Sequence, residues 1–369
     1  MAGGGAVKGT EILVEAALSA LPRMLDPRSG LCVFTVRPSG PSGQSLRYSC
    51  ITLIGLTAAI RAGLEPRLDL DRLVHGISDH WRDASNVGEL GLLLWCLSDH
   101  HQKLTPTHEE VLAYIPATAD GLADLTSTEL GWLVSGLSRT AQLAPMHGDV
   151  CDRARTAYKA LRANQVEATG LFCYGGRAGG PVLRRLRRQL GFFDNQVYGI
   201  HAGVDYHRAF EDRGALAMAE RCADQIMIAQ GPLGQWAWHY DVRTGAVVDR
   251  YPVYSVHQHG MGPMALRAIA DATGRRFDRA LERSVTWIFG SNELGETMID
   301  ADCGVIWRSI RRRVAHRKLT HVFKLLNLAH LQRVRERLAR MVNTRGHLER
   351  DLECRPYELG WLLLALARR

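Results

Sequence analysis

A three-residue phrase recurs along this chain and narrows what it can fold into. Glu89-Leu90-Gly91 opens ELGLLLWCLSDH, Glu129-Leu130-Gly131 opens ELGWLVSGLSRT, and Glu358-Leu359-Gly360 opens ELGWLLLALARR. The first two copies start 40 residues apart. That is the length of a helix-turn-helix unit, and units repeated at such a period stack as helical hairpins. Ser85-Asn86 and Thr126-Ser127 stand ahead of them as N-caps, and a glutamate in the first turn suits the helix dipole. A glycine inside a helix costs about 1 kcal/mol. Its return at the same place implies close helix approach or an open surface at the centre of a ring. The three glutamates are accordingly read as caps or braces of hairpins before any chemical role.

Apolar residues at three- and four-residue spacing predict further helices over 43–64, 69–81, 148–165, 213–230, 259–274, 275–290 and 321–343. Gly274 and Gly290 sit where C-cap glycines belong. The total is about a dozen helices, the number in a ring of six hairpins. Length alone would suggest two domains, but a closed ring grows by adding hairpins, so residues 1–369 are read as one all-α domain. Short non-helical insertions interrupt it: a glycine-rich turn at 170–182, a strand hairpin at 234–256 around Thr244-Gly245, and a strand-loop at 300–310. They are expected to decorate one rim. Residues 37–45 read as a surface connection.

Composition removes several classes. No stretch of 18 uncharged apolar residues exists, and Glu11 and Glu15 interrupt the N-terminal apolar run, so a cytoplasmic address is expected over a secreted or membrane-spanning one. The eight cysteines include no CxxC pair and read as reduced core thiols. The net charge of +8 is partly local: PVLRRLRRQL (181–190) holds four arginines and WRSIRRRVAHRK (307–318) six Lys/Arg with no acid. Such clusters are either solvated helix faces or contacts for phosphate, anionic polysaccharide, nucleic acid or a membrane surface. No zinc-finger spacing, RRM-like strand or heptad zipper points to nucleic acid.

Chemistry concentrates between 192 and 308. FFDNQVYGIHAGVDYH (192–207) places Asp194, Gln196, Tyr198 and His201 at a helix entrance. GQWAWHYD (234–241) carries Gln235, Trp236, Trp238, His239, Tyr240 and Asp241. YPVYSVHQHGMGP (251–263) adds Tyr254, His257 and His259, and SNELGETMIDADCGVIWRS (291–309) adds Glu293, Trp307 and Arg308. Trp and Tyr faces stack on sugar rings, while His and carboxylates hydrogen-bond hydroxyls or move protons. The expected catalytic group is Asp241, His259, Glu293 and His239. The expected substrate contacts are Gln196, Tyr198, Gln235, Trp236, Trp238, Tyr240, Tyr254, His257, Trp307 and Arg308. Trp236 and Trp238 alternate on a strand and cannot both face inward; Trp132 and Trp287, on regular helices, read as core.

The run from about 194 to 313 resembles the second half of the (α/α)6 toroid enzymes, which include six-hairpin glycosidases, N-acylglucosamine epimerases, uronyl epimerases and terpenoid cyclases. Residues 251–288 are similar to their recurrent hairpin of aromatic rim loop, small-residue turn, helix, break and helix. The resemblance implies the toroid fold and no particular catalytic residue. Asp69-Leu70-Asp71 and Asp300-Ala301-Asp302 are each one aspartate short of the protonating cyclases' DxDD. FCYGG (172–176) resembles the first zinc loop of lanthionine cyclases, but HQHG (257–260) has His where their Cys stands. Cys173, His257 and His259 are the residues to watch, with no metal or other cofactor expected. The leading expectation is a carbohydrate-active enzyme of polysaccharide biosynthesis, working by hydrolysis, elimination or epimerisation on a sugar that is anionic or lipid-diphosphate-linked. Arg177, Arg184, Arg185, Arg308 and Arg311 would then hold the anionic group. A terpenoid cyclase and a non-catalytic glycan-binding scaffold are the alternatives.

Overall fold

The computed structural model describes residues 3–100, 103–143 and 148–367. Fifteen α-helices appear among them: α1 Gly3–Ala20, α2 Leu46–Arg61, α3 Leu70–His80, α4 Val87–His100, α5 His108–Leu112, α6 Ser127–Leu143, α7 Gly148–Arg162, α8 Pro181–Gln189, α9 Phe193–Phe210, α10 Arg213–Ile228, α11 Gly262–Thr273, α12 Asp278–Ile288, α13 His316–Leu328, α14 Gln332–Val342 and α15 Pro356–Leu366. Six of them, α2, α4, α6, α9, α11 and α15, each pack against the next, and α15 returns to α2 to close the circle. Helices α1, α3, α5, α7, α10 and α12 lie outside. This is the (α/α)6 toroid that the repeat implied.

The division between the layers follows from the sequence. Helices α4 and α15 are apolar all round, and their side chains are buried on nearly every face. The outer α3 buries one stripe, Leu73, Val74, Gly76 and Ile77, and turns its charged residues to water. The recurring glycine is what lets inner helices touch. A Cβ on Gly91 would stand 2.5 Å from the Leu133 backbone, one on Gly136 2.0 Å from the Gly91 carbonyl oxygen, and one on Gly360 2.6 Å from the Ile51 carbonyl oxygen.

Ten short strands among the described residues decorate the ring. They are β1 Thr35–Arg37, β2 Gly40–Ser42, β3 Leu190–Phe192, β4 His239–Asp241, β5 Val247–Asp249, β6 Val253–Tyr254, β7 Ile299–Asp300, β8 Val305–Ile306, β9 Ser309–Arg312 and β10 Leu348–Asp351. They form two two-stranded ladders, β1-β2 and β7-β8, and two three-stranded sheets, β3-β4-β5 and β10-β9-β6. The 234–256 hairpin forms as read. Residues 37–45, read as a plain loop, contain β2 of a small hairpin, with Arg37 paired to Gly40. The amphipathic pattern at 321–343 is two helices, not one, because His330 takes a left-handed conformation (φ 59°) between α13 and α14. Together these two form an arm inserted between β9 and β10. All eight cysteines are free, and no described helix is long and apolar enough to cross a membrane.

Candidate functional site

The first turns of the inner helices converge on one cavity of about 140 Å³. Arg47, Tyr48 and Ile51 come from α2, Trp132 from α6, Asp194 and Tyr198 from α9, Met261 from the turn before α11, and Tyr357 from α15. The rim segments add Trp238, Tyr254, His257 and Arg308. Trp238 stacks on the His257 ring at 5.3 Å and 17°, with Tyr254 edge-on to the indole at 5.3 Å. Opposite in sequence, Trp132 meets Tyr198 edge-on at 5.1 Å. The Tyr198 hydroxyl accepts a 2.8 Å hydrogen bond from Trp361 Nε1.

The repeat supplies the electrostatics. Glu89 accepts from Ser85 N and so caps α4, and its other oxygen accepts from Arg47 Nε at 2.8 Å. Glu358 stands 3.0 Å from Arg308 Nη1 and Glu353 3.4 Å from the same atom. Glu129 receives the Thr126 N–H and hydroxyl at 2.7 and 2.8 Å and is a cap. Two of the three recurring glutamates therefore brace the two arginines that line the cavity. Burial pushes Glu358 up to about 7, against the pull of Arg308.

Asp194 is the carboxylate on the cavity wall. Its Oδ1 accepts the Asn195 N–H at 2.8 Å. Burial pushes it up to about 6, more than the Thr128 hydroxyl and backbone N–H bonds lower it. His257 shifts the other way: burial drives it down to about 3, so the ring is neutral near physiological pH. Its Nδ1 lies 3.3 Å from the Trp236 carbonyl oxygen. With Nδ1–H donating there, Nε2 keeps its lone pair.

Five of the expected site residues line this cavity: Tyr198, Trp238, Tyr254, His257 and Arg308. The expected catalytic four do not, and the structure gives each another setting. Asp241 takes four hydrogen bonds, three from Arg243 and one from Asn327 Nδ2 on α13 at 2.9 Å, and so ties the arm to the rim. Burial alone would raise its carboxyl, but these donors hold it below the usual range. Glu293 accepts from Gln235 Nε2 and Trp287 Nε1 at 3.2 and 2.9 Å. His239 is buried in β4 against the Phe192 ring. His259 is buried on the turn His257–Met261, which is wound as a π-helix rather than extended. Residues two apart on a helix point to opposite sides, so His257 reaches the cavity and His259 the interior.

Several expected substrate contacts are structural as well. Gln196 clasps the Phe172 backbone through both N–H and carbonyl. Trp236 is fully buried and donates to the Ile226 carbonyl, while Tyr240 is buried in the sheet. Gln235 holds Glu293 and the Leu233 N–H. Trp307 donates to Asp300. The two Asp-x-Asp pairs are structural too: Asp69 caps α3, and Asp300 accepts from Cys303 N. No three metal-binding side chains gather among the described residues. Cys173 lines a separate groove, with Arg177 and Arg188. The lining residues that sequence reasoning did not place in a site are Arg47, Tyr48, Trp132 and Tyr357, and it gave Asp194 no role there. The usable signal was position: each stands in the first two turns of an inner helix.

Asp241→Asn is expected to leave whatever turnover the protein has unchanged and to lower stability by about 1–3 kcal/mol at neutral pH. Because the Asp241 carboxyl is depressed in the fold, the stability it contributes is present above the ordinary carboxylate range and fades as pH falls through its folded value. Melting curves of the two proteins should therefore converge in acid. Lost turnover with an unaltered melting temperature would return Asp241 to the catalytic group.

No family model matches the sequence, and no curated relative matches it. Solved structures do match by fold. The cellobiose 2-epimerase of Bacillus thermoamylovorans is 11% identical with a TM-score of 0.65, over 98% of each chain. A sugar epimerase from a ruminal bacterium is 12% identical with a TM-score of 0.63, also over 98% of each. An unsaturated glucuronyl hydrolase specific for heparin is 13% identical with a TM-score of 0.59, over 98% of this chain and 95% of that one. At such identities the likeness is one of fold.

Proposed function

We propose that the axial cavity is an active site in which Asp194 takes a proton from a carbon of a sugar ring, and solvent water returns one, to the opposite face of that carbon in epimerisation or to the leaving oxygen in elimination. One observation carries this reading: a single carboxylate, poised by burial at about 6, sits on a wall whose other members are aromatic rings, His257, Ile51, Met261 and two arginines. A general acid or base works best when its pKa lies near the operating pH. His257, at about 3, is too weakly basic for that work and suits a neutral acceptor for a sugar hydroxyl.

The surroundings fit the substrate class. Trp132 and Trp238 offer faces for a sugar ring. Arg47 and Arg308 can steady a carboxylate on that ring or an enolate-like oxygen formed beside the reacting carbon. Ordinary glycoside hydrolysis needs two carboxyl groups flanking the bond, about 5–10 Å apart; here Glu358 stands behind Arg308 and is not among the lining residues. The fold neighbours, two sugar epimerases and an unsaturated glucuronyl hydrolase, keep company with this reading. A terpenoid cyclase fits less well, since both Asp-x-Asp pairs serve as braces.

The test is direct. The purified protein and its Asp194→Asn variant are incubated with a β-1,4-linked reducing disaccharide and with an oligosaccharide of saturated uronates, and the products are followed by NMR. Conversion of one of them by the wild type and by none of the variant preparations is expected. Equal conversion by both proteins, or inertness of the wild type toward both substrates, would overturn the assignment.

A further inference from the structure

The arm α13–α14 takes no part in the proposed chemistry, yet it concentrates the chain's charge. Residues 313–342 contain eight of the 46 lysines and arginines and one of the 38 acids, leaving 38 against 37 everywhere else. Almost the whole net charge of the protein therefore sits in one inserted helical hairpin.

The arm is firmly seated on one side. Phe323 is buried, Asn327 donates to Asp241, Thr320 donates to Asp249, and Lys324 lies 5.0 Å over the Phe192 ring. Arg335, also buried, donates to Asn327 Oδ1. What remains outside is unusual. Val322 and Leu325 on α13 and Val334 and Met341 on α14 are exposed, Leu325 at 59% and Met341 at 70%. Roughly a third of the exposed large apolar side chains among the described residues lie between 314 and 341. Between them stand exposed Arg317, Lys318, Arg333, Arg337 and Arg340. The lone acid, Glu336, accepts from Gln332.

We infer that this outer face of the arm docks on an anionic lipid bilayer. Cations alone would suit any polyanion, but phosphate backbones give no reason to expose Val322, Leu325, Val334 and Met341 beside them. A bilayer interface takes both: apolar side chains enter the acyl boundary while lysines and arginines reach the headgroups. Each cation near an anionic surface adds attraction, and the sum is screened by salt. The assignment is independent of the chemistry proposed for the axial cavity.

The experiment uses the full chain with vesicles of phosphatidylcholine alone and of phosphatidylcholine mixed with phosphatidylglycerol, read by co-sedimentation. Binding to the mixed vesicles at low salt, and not to the neutral ones, is expected. Arg333→Glu with Arg337→Glu and Arg340→Glu should weaken it by about 100-fold. Leu325→Ser with Met341→Ser keeps every charge and should weaken it by about tenfold. All five positions are exposed, and unchanged circular dichroism shows that the variants fold. No binding to the mixed vesicles, binding that ignores the serine pair, or tighter capture of duplex RNA or heparin than of vesicles at equal salt would each overturn the inference.

Discussion

Asp194→Asn is expected to lower turnover by about three orders of magnitude, the contribution typical of a positioned acid–base group. The same change should make the protein more stable above pH 6. The sign follows from burial. Asp194 is raised from its ordinary value to about 6 in the fold, so what it contributes to stability is complete below the unfolded value and lost as pH rises through 6. Asparagine cannot ionise and escapes that loss. It also keeps an oxygen for the Asn195 N–H. The melting temperature at pH 8 should therefore rise by at least about 1 °C, the shift that about 1 kcal/mol produces in a chain of this size. At pH 4 the two proteins should melt together. A fall in both turnover and stability at pH 8 would mean that Asp194 is a structural group like Asp241.

Gly55→Ala should be among the most damaging single-methyl additions in the ring. The new Cβ would stand 2.1 Å from the Gly360 carbonyl oxygen, and the obstacle is backbone on the facing helix, which has no rotamer to change. Helices α2 and α15 must then separate where the ring closes, stretching the contacts of Ile51 and Leu359. Overpacking of this kind costs about 3 kcal/mol, or about 4 °C in melting temperature for a chain of this size. Gly346→Ala is the control: nothing lies within 4 Å of its added methyl, and its melting temperature should not move. Equal behaviour of the two variants would contradict the close helix approach described here.

The ring was legible because its cause is local and periodic. Apolar spacing marks each helix, and the ELG phrase marks where inner helices need a glycine to pass a neighbour, as Gly91 and Gly360 do. The strand hairpin at Thr244-Gly245 was legible from its turn chemistry. The site was only half legible. Clustering of His, Trp and Asp in sequence pointed to residues 234–259, but a strand alternates its faces and a helix rotates them. Trp238 and His257 therefore reach the cavity, while Trp236 and His259 face the interior. Asp241 looked catalytic because the sequence does not reveal that Arg243 and Asn327 saturate it. Asp194, two residues into α9, looked like an ordinary first-turn acid, since its raised proton affinity arises from burial by distant parts of the chain. Trp132 read as core because a regular helix gives no sign of which face meets the ring axis.

The central claim is that Asp194 exchanges a proton with a carbon of the sugar, and solvent deuterium reports on that step. A substrate turned over by the wild-type protein is incubated in D2O, and each ring position is followed by NMR. One ring carbon is predicted to lose its protium at the rate of turnover, to deuterium on epimerisation or to the new double bond on elimination, and Asp194→Asn should abolish the change. A product formed at full rate with every ring carbon still carrying protium would place the proton on oxygen instead, and would contradict the claim.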